Sequence, residues 1–253
     1  MGHHAHAAFL SLLRSGNPER AEQLHAQSDQ KPFTVSPLIS NSRLEDGWLR
    51  LPAGTVCHIR FTFLQDDLFD DLGRAFYTNV EQEIRLGTAI FHLDRLVSSP
   101  NQEWSNHQSY QDLLNTAANE AEIRLKFYSP TAFRPMRPHR QMEERSNTAS
   151  TILDLVRCFQ SWVRKWNAFA PQPIDKSQLL SAVEKNLRLT QINGRLRQLD
   201  FGKFKENGFV GDCSFEMVSD SDQIRWLNLL TDFAFYAGTG HKTTMGMGQT
   251  QRL

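Results

Sequence analysis

Helical and strand-like spacings of apolar residues follow one another along the first half of the chain. Apolar residues between Phe9 and Leu13 recur at the spacing of a helix face, which ends at Gly16. Asn17 and Pro18 then favour the start of a second helix, since asparagine caps free amide groups and proline fits the first turn. Further along, the pattern predicts strands at 32–40, 47–52 and 55–64, a helix at 67–77 and a strand at 88–97.

The second half of the chain repeats this mixture of helices and strands. The pattern predicts a short helix at 109–118, a strand at 122–129, a long amphipathic helix at 146–166, strands at 187–204 and 208–218, and a helix at 222–238. A last strand is predicted from Met247 to the C-terminus. Asn193 and Gly194 form a dipeptide typical of tight β-hairpin turns, so a turn is expected there.

Each half therefore combines about two helices with three or four strands, which is typical of a split βαβ unit. The predicted class is α+β, with two tandem ferredoxin-like (RRM-like) domains at 1–105 and 106–253. A ferredoxin-like domain begins with a strand, yet the first predicted helix starts close to Met1. Three explanations stay open: the reading frame begins upstream, the segment is missing from this sequence, or the sheet is completed in another way.

Composition and charge narrow the function classes. Lys plus Arg and Asp plus Glu are both 28, so the net charge is zero, and nucleic-acid binding would need a local basic patch. Three well-separated cysteines fit a reducing cytoplasm without structural zinc. No apolar run approaches the roughly 18 residues of a membrane span, and no signal peptide is visible. We therefore expect a cytoplasmic protein that binds no membrane.

A histidine-rich stretch opens the chain at residues 1–8. It is compatible with a tag remnant or a metal-binding tract, but the ragged spacing of its histidines disfavours a metal site. We therefore expect neither a metal nor another cofactor.

Residues 238–248, "GTGHKTTMGMG", form a glycine-rich loop close to the C-terminus. The order of helix, loop and short strand is the reverse of a P-loop, so nucleotide hydrolysis is disfavoured. Such a loop can hold a polyanion through its backbone, a lysine and threonine hydroxyls, or it can be a tight helix-to-strand connection. The candidate binding residues in this loop are Gly238, Gly240, His241, Lys242, Thr243, Gly246 and Gly248.

Three ordered stretches carry a resemblance to a known family. The glycine-rich loop resembles the signature loop of the CRISPR-associated endoribonucleases that process crRNA precursors, in the RAMP superfamily. The stretches "FLSLLRSGNPERAEQLHAQSDQKPFTVSPL" and "EIRLKFYSPTAFR" are similar to the same family, in the same order. This resemblance implies two ferredoxin-like domains side by side. It also implies metal-independent cleavage of repeat RNA that leaves a 2′,3′-cyclic phosphate and a 5′-hydroxyl.

The resemblance also implies catalytic residues. His25 stands at the end of the second helix, where the family has its catalytic histidine, and Lys31 matches a position that often carries an active-site lysine. Histidine suits proton transfer because its pKa lies near neutrality. Some members use a tyrosine from the first helix, but Leu10 holds that position here. His25 is therefore expected to act alone with Lys31, or with a histidine of the opening tract such as His6.

Two local basic clusters are candidates for RNA contacts. The first surrounds Arg134, and the second lies in a region that forms an RNA-binding hairpin in the family. In the second cluster, the spacing of two places Arg195 and Arg197 on one strand face. The candidates in the second cluster are Arg188, Arg195, Arg197, Lys203 and Lys205.

The resemblance implies CRISPR repeat RNA and crRNA as partners, with other subunits of an effector complex as further candidates. The alternative function is a non-cleaving RAMP subunit that holds crRNA.

Overall fold

The structure is a computed structural model. It describes residues 2–27, 29–41, 44–45, 48–78, 83–100, 102, 104–134, 153–202, 204–218 and 221–253.

The N-terminal half is built around three helices and a small sheet. Its elements are α1 (Gly2–Gly16), α2 (Pro18–Ala26), β1 (Phe33–Val35), β2 (Leu44–Glu45), β3 (Trp48–Leu49), β4 (Phe61–Phe63), α3 (Asp66–Thr78), β5 (Glu83–Leu86) and β6 (Ala89–His92). Strands β1 and β4 pair antiparallel, and their apolar side chains pack with α1, α2 and α3 in one core. In the described residues, no strand precedes α1.

The opposite face of this small sheet rests on the C-terminal half. Thr34 and Thr62 are opposite each other and buried, and their hydroxyls are 2.6 Å apart. Thr62 also donates a hydrogen bond of 2.5 Å to the carbonyl of Tyr236 in the last helix. Two buried hydroxyls with partners replace the apolar packing found on the other face, and the hydrogen bond from Thr62 to Tyr236 joins the two halves here.

The C-terminal half has ferredoxin-like connectivity. Its elements are α4 (Tyr110–Thr116), β7 (Glu122–Thr131), α5 (Leu155–Phe169), α6 (Lys176–Asn186), β8 (Leu187–Asp200), β9 (Lys205–Met217), α7 (Ser221–Ala237), a 3₁₀ turn (Thr243–Met245) and β10 (Thr250–Arg252). The strands form an antiparallel sheet in the order β10-β7-β9-β8. With helices after β7 and after β9, this is a β-α-β-β-α-β unit. The predicted α+β class is confirmed.

The large core lies between one face of this sheet and helices α5, α6 and α7. Trp162 and Trp166 of α5 are fully buried there, with Tyr110 and Phe233 packed edge-on to Trp166. No helix in the described part of the chain is long and apolar enough to cross a membrane.

The predicted turn at Asn193 and Gly194 is wrong. Both residues lie inside β8, where Asn193 pairs with Asp212 and Gly194 with Gly211. The hairpin turns instead after Asp200, the last residue of β8. Gly194 serves packing, since a Cβ there would come within 2.5 Å of the Phe209 ring. Close backbone approach therefore explains this glycine.

Other element boundaries also differ from the sequence prediction. The helix predicted at 146–166 begins at Leu155, because Asp154 adopts an extended conformation and its side chain caps the Arg157 amide. Residues 146–152 lie outside the described part. Helix α6 and strand β5 were not predicted.

Candidate functional site

His25 is held at the end of a short, well-capped helix. The Asn17 side chain accepts the amide hydrogen bond of Arg20 and Pro18 occupies the first turn, so α2 begins where the sequence predicts. Leu24 is buried in the N-terminal core, which fixes the buried face of α2, and His25 is exposed in its last turn. The imidazole is therefore accessible to a ligand without disturbing the core.

Lys31 lies against the same helix end. Its ammonium donates a hydrogen bond of 2.6 Å to the carbonyl of Leu24, one of the last carbonyls of α2. A cation at this end is favoured because the helix dipole is negative there. Burial lowers the pKa of Lys31 from its ordinary value. The structure thus brings Lys31 to the helix turn that carries His25.

His6 belongs to the same cluster. Its ring is half-buried and stacks on Phe33 at 5.9 Å with an angle of 10°. Burial, together with the charges of Lys31 and His25, lowers the pKa of His6 to about 4, although a hydrogen bond to the backbone of Thr244 acts in the opposite direction. At neutral pH the ring is therefore uncharged.

The position expected for a tyrosine partner offers no chemistry, since Leu10 is buried in the core beside Phe9. His6 lies one turn earlier on α1 and faces the site instead. Among the described residues, its Nδ1 atom is buried and has no hydrogen-bond partner. The sequence alone does not distinguish His6 from the other histidines of the opening tract, and the packing of α1 places His6 near His25 and Lys31.

The other two histidines of the opening tract point elsewhere. The rings of His3 and His4 are 3.9 Å apart, His3 lies near Phe201, and His4 lies against Gly87. Burial lowers the pKa of both histidines, and the positive charge of the N-terminal amino group lowers it as well. The described part of the chain contains no group of three or more His, Cys, Asp or Glu side chains arranged for a metal ion.

The glycine-rich loop packs tightly against the chain itself. Gly238, Gly240, Gly246 and Gly248 all have positive φ, between 62° and 90°. A Cβ on Gly248 would overlap the carbonyl oxygen of Thr239, and one on Gly246 would lie 2.8 Å from the Cα of Gly2. The missing side chains therefore leave room for the protein's own backbone as well as permitting the left-handed conformation.

The loop connects both halves of the molecule. The amide of Gly246 donates to the carbonyl of Val35 in β1, and the amide of Gly248 donates to the carbonyl of Pro130 in β7, each at 3.0 Å. Because Gly246 also packs on Gly2, the loop fixes the start of α1. It therefore positions the helix that carries His6.

A buried lysine that the sequence pattern did not single out, Lys165, packs against the two ends of the loop. The Lys165 ammonium on α5 donates to the carbonyl of Ala237 and, at 2.8 Å, to the hydroxyl of Thr243. Burial lowers the pKa of Lys165 to about 7. The signal was present in the sequence, because Lys165 lies between Trp162 and Trp166 on the apolar face of α5.

The charged side chains of the loop meet the β8–β9 hairpin. The Lys242 ammonium pairs with Glu206 and lies 4.0 Å from the Phe204 ring centroid, while Nε2 of His241 lies 3.3 Å from Glu206 Oε1. Burial disfavours the Glu206 carboxylate, but Lys242 and His241 more than offset this and hold its pKa below the ordinary value. Burial lowers the pKa of His241.

The basic residues of the hairpin share one exposed face. Arg195 and Arg197 lie opposite Val210 and Gly208, and Arg188 lies opposite Glu216. A bulge between Leu189 and Gln191 shifts the alternation of side chains between the two faces of β8 by one residue. Arg188 therefore lies on the same face as Arg195 and Arg197.

Three further basic residues, Lys203, Lys205 and Arg134, are candidates for RNA contacts. Lys205 is exposed at the start of β9, and Lys203 lies outside the described residues. Arg134 is exposed, its backbone carbonyl accepts a hydrogen bond from Arg157, and its charge acts on His241.

Two family profiles together match nearly the whole chain. The CRISPR Cas6 N-terminal domain matches residues 1–115, and the CRISPR-associated endoribonuclease Cas6 matches residues 125–250. The chain belongs to the Cas6 family.

Solved Cas6 structures share its fold. A product complex of Cas6 (TTHB231) has a TM-score of 0.82 at 27% identity, covering 100% of this chain and 92% of that chain. A structure of Thermus thermophilus Cas6 (TTHB231) has a TM-score of 0.71 at 24% identity, covering 100% of this chain and 91% of that chain. A Cas6-related protein from Pyrococcus furiosus has a TM-score of 0.58 at 12% identity, covering 100% of this chain and 90% of that chain. No curated protein sequence matches the chain significantly.

These comparisons bear on both halves of the Cas6 fold. Together with the topology of the C-terminal sheet, they confirm the predicted tandem ferredoxin-like architecture.

Proposed function

We propose that this Cas6 family member is a metal-independent endoribonuclease that cleaves CRISPR repeat RNA in the crRNA precursor. The 2′-oxygen attacks the adjacent phosphorus, the bond from phosphorus to the 5′-oxygen breaks, and a 2′,3′-cyclic phosphate and a 5′-hydroxyl result. The observation that carries the proposal is the gathering of His6, His25 and Lys31 at the end of α2, with His6 hydrogen-bonded to the backbone of Thr244 in the glycine-rich loop.

His25 and Lys31 have complementary roles in this reaction. The exposed imidazole of His25 donates a proton to the departing 5′-oxygen, which would otherwise leave as an unstable alkoxide. The Lys31 ammonium, already aligned by the carbonyl of Leu24, stabilises the extra negative charge on the phosphorane.

His6 is the candidate acceptor for the proton of the 2′-hydroxyl. Its lowered pKa keeps the ring neutral, as a base must be. Its unpartnered Nδ1 supplies a free lone pair, and an unsatisfied buried atom of this kind calls for a functional explanation. RNA binding has to expose this atom, since it is buried in the free protein.

Binding is assigned to the glycine-rich loop and to the basic face of the β8–β9 hairpin. Arg188, Arg195 and Arg197 point from one face, which suits successive phosphates of an RNA backbone. CRISPR repeat RNA and crRNA are the proposed partners, and other subunits of an effector complex, in the cytoplasm, are further candidates.

The test is single-turnover cleavage of a panel of CRISPR repeat RNAs in the presence of EDTA. One repeat is expected to be cut at one phosphate, and a 2′-deoxy sugar at that nucleotide is expected to abolish cleavage. Mass spectrometry identifies a cyclic phosphate because the product lacks one water relative to a linear phosphate. Tight binding of a repeat without cleavage would instead support the non-cleaving RAMP subunit.

A further inference from the structure

Glu206 occupies a position that suits a phosphate. One carboxylate oxygen faces Nε2 of His241 and the other faces the ammonium of Lys242. Two non-bridging oxygens of a phosphodiester offer donors the same arrangement. The positive charge of Arg134 also acts on His241, one of the two basic side chains that contact the Glu206 carboxylate.

The Lys242 ammonium is held by two aromatic rings as well as by the Glu206 carboxylate. Phe201 and Phe204 are stacked, with centroids 5.1 Å apart, and the Lys242 ammonium lies 5.0 Å and 4.0 Å from their centroids. Such cation–π contacts persist if the carboxylate leaves. Lys242 therefore stays in place while its anionic partner is exchanged.

The contact joins two elements that are both assigned to RNA binding. Glu206 lies one residue into β9, opposite Leu199, and Lys242 lies in the glycine-rich loop. The side chains of Glu206 and Lys242 are 23% and 25% exposed, so an incoming phosphate can reach the pair. In the free protein, this carboxylate ties the hairpin to the loop.

We infer that Glu206 is an internal phosphate substitute that RNA displaces from Lys242 and His241 on binding. This inference rests on the proposed RNA binding by the loop. Displacement has a measurable signature, because a freed carboxylate recruits a cation when RNA releases one. The net counterion release from the Lys242 contact is therefore close to zero in the wild type.

The experiment compares wild type with Glu206→Gln, Lys242→Ala and the double variant. Glutamine keeps the shape and an acceptor oxygen for Lys242 but removes the competing charge. Affinity is measured against salt for the best-bound repeat RNA of the panel, with a 2′-deoxy sugar at the cleaved nucleotide. Glu184→Gln, on an exposed position of α6, removes a charge elsewhere and is the matched control.

Glu206→Gln is expected to bind RNA about 3- to 10-fold more tightly at low salt. Its plot of log affinity against log salt should be steeper by roughly 0.7 to 0.9, the contribution of one phosphate contact. In the Glu206→Gln background, Lys242→Ala should reverse both the gain in affinity and the steeper salt slope. Weaker binding, or an unchanged slope, in Glu206→Gln would overturn the inference.

A second probe separates this inference from the proposed function. Inorganic tripolyphosphate presents phosphate oxygens without a nucleic acid, and its binding is measured by the shift in melting temperature. A larger shift for Glu206→Gln than for wild type supports the displaced carboxylate even if no repeat RNA is cleaved. Equal shifts for the two proteins contradict it even if cleavage is observed.

Discussion

Two histidines of the proposed site differ in their surroundings. His25 is exposed at a helix end, whereas His6 is half-buried and stacked on Phe33. Burial makes the imidazolium form of His6 unfavourable, so the ring is neutral and has a lone pair that can accept a proton, whereas the exposed ring of His25 is open to a ligand.

Replacing the His25 side chain tests the catalytic assignment. His25→Ala is expected to lower the single-turnover cleavage rate by roughly 10² to 10⁴, because a positioned general acid contributes about that factor. RNA affinity should be nearly unchanged, since α2 is held by Leu24 and its cap. His107→Ala, at another exposed histidine, should cut normally. Wild-type cleavage by His25→Ala would move the catalytic role to another histidine.

Lys165 predicts a pH dependence of stability. Its pKa is about 7 in the folded protein and near 10.5 in the unfolded chain, so the unfolded chain binds more protons between these values. The free energy of unfolding should therefore rise as pH increases from 7 towards 10.5, by on the order of a few kcal/mol.

Urea unfolding of wild type and Lys165→Met at pH 6 and pH 9 measures this effect. The stability of wild type relative to the variant should increase at the higher pH. Lys185→Met, at an exposed lysine of α6, should show no such change. A difference between wild type and Lys165→Met that is the same at both pH values would mean that Lys165 is not desolvated as described.

At the scale of elements, the glycine-rich loop acts as a packed connector. Its glycines combine positive φ with close contact to the protein backbone, whereas Gly54 has a φ of 80° with no atom within 4 Å of an added Cβ. This pair of sites separates the conformational cost of a side chain from its packing cost.

Gly54→Ala is expected to destabilise the protein by about 1–2 kcal/mol, the cost of a left-handed alanine. Gly248→Ala should cost roughly 2 kcal/mol more, because its methyl group would overlap the carbonyl of Thr239. Urea denaturation of both variants measures the difference. Equal losses would show that the loop can relax around a side chain.

The β8–β9 hairpin presents arginines on one exposed face. If each of Arg195 and Arg197 contacts a phosphate, the double alanine variant should reduce the salt slope of RNA binding by roughly 1.4 to 1.8. A double alanine variant of the exposed Lys176 and Lys185 on α6 is the control and should keep the wild-type slope. An unchanged salt slope in the arginine variant would mean that Arg195 and Arg197 are solvent-exposed side chains that do not contact RNA phosphates.

At the scale of the whole molecule, Arg60 links the two halves. Its guanidinium donates to the carbonyl of Trp104 at 2.7 Å and to Gln249 at 3.2 Å, and it lies 3.9 Å from the Phe235 ring centroid. Burial lowers the pKa of Arg60 to about 9. A partly buried cation with these partners is costly to disturb, because its acceptors would lose their donor inside the protein.

Arg60→Met is expected to lower the free energy of unfolding by about 2–4 kcal/mol through these lost contacts. It should also weaken the coupling of the two halves, so that fluorescence and circular dichroism transitions in urea no longer coincide. Arg164→Met, at an exposed arginine of α5, should leave both transitions unchanged. Coincident transitions in Arg60→Met would mean that other contacts suffice for coupling.

The sequence by itself determined the local features of this protein. Asn17 and Pro18 start α2, amphipathic spacing predicts α3 and α7, and the glycines of the loop adopt positive φ. These features depend on residues within one or two turns of each other, so local pattern contains the needed information. The helix end that carries His25 follows from the same rules, while its catalytic role stays a prediction.

Only the tertiary structure decided the rest. The bulge before Gln191 places Arg188 with Arg195 and Arg197, and long strand pairing overrides the turn signal at Asn193. His6 joins the site because the glycine-rich loop fixes the start of α1, and Glu206 meets Lys242 across more than thirty positions of sequence. Each of these results depends on contacts between distant segments, whose geometry is set by core packing and sheet register and is absent from any local pattern.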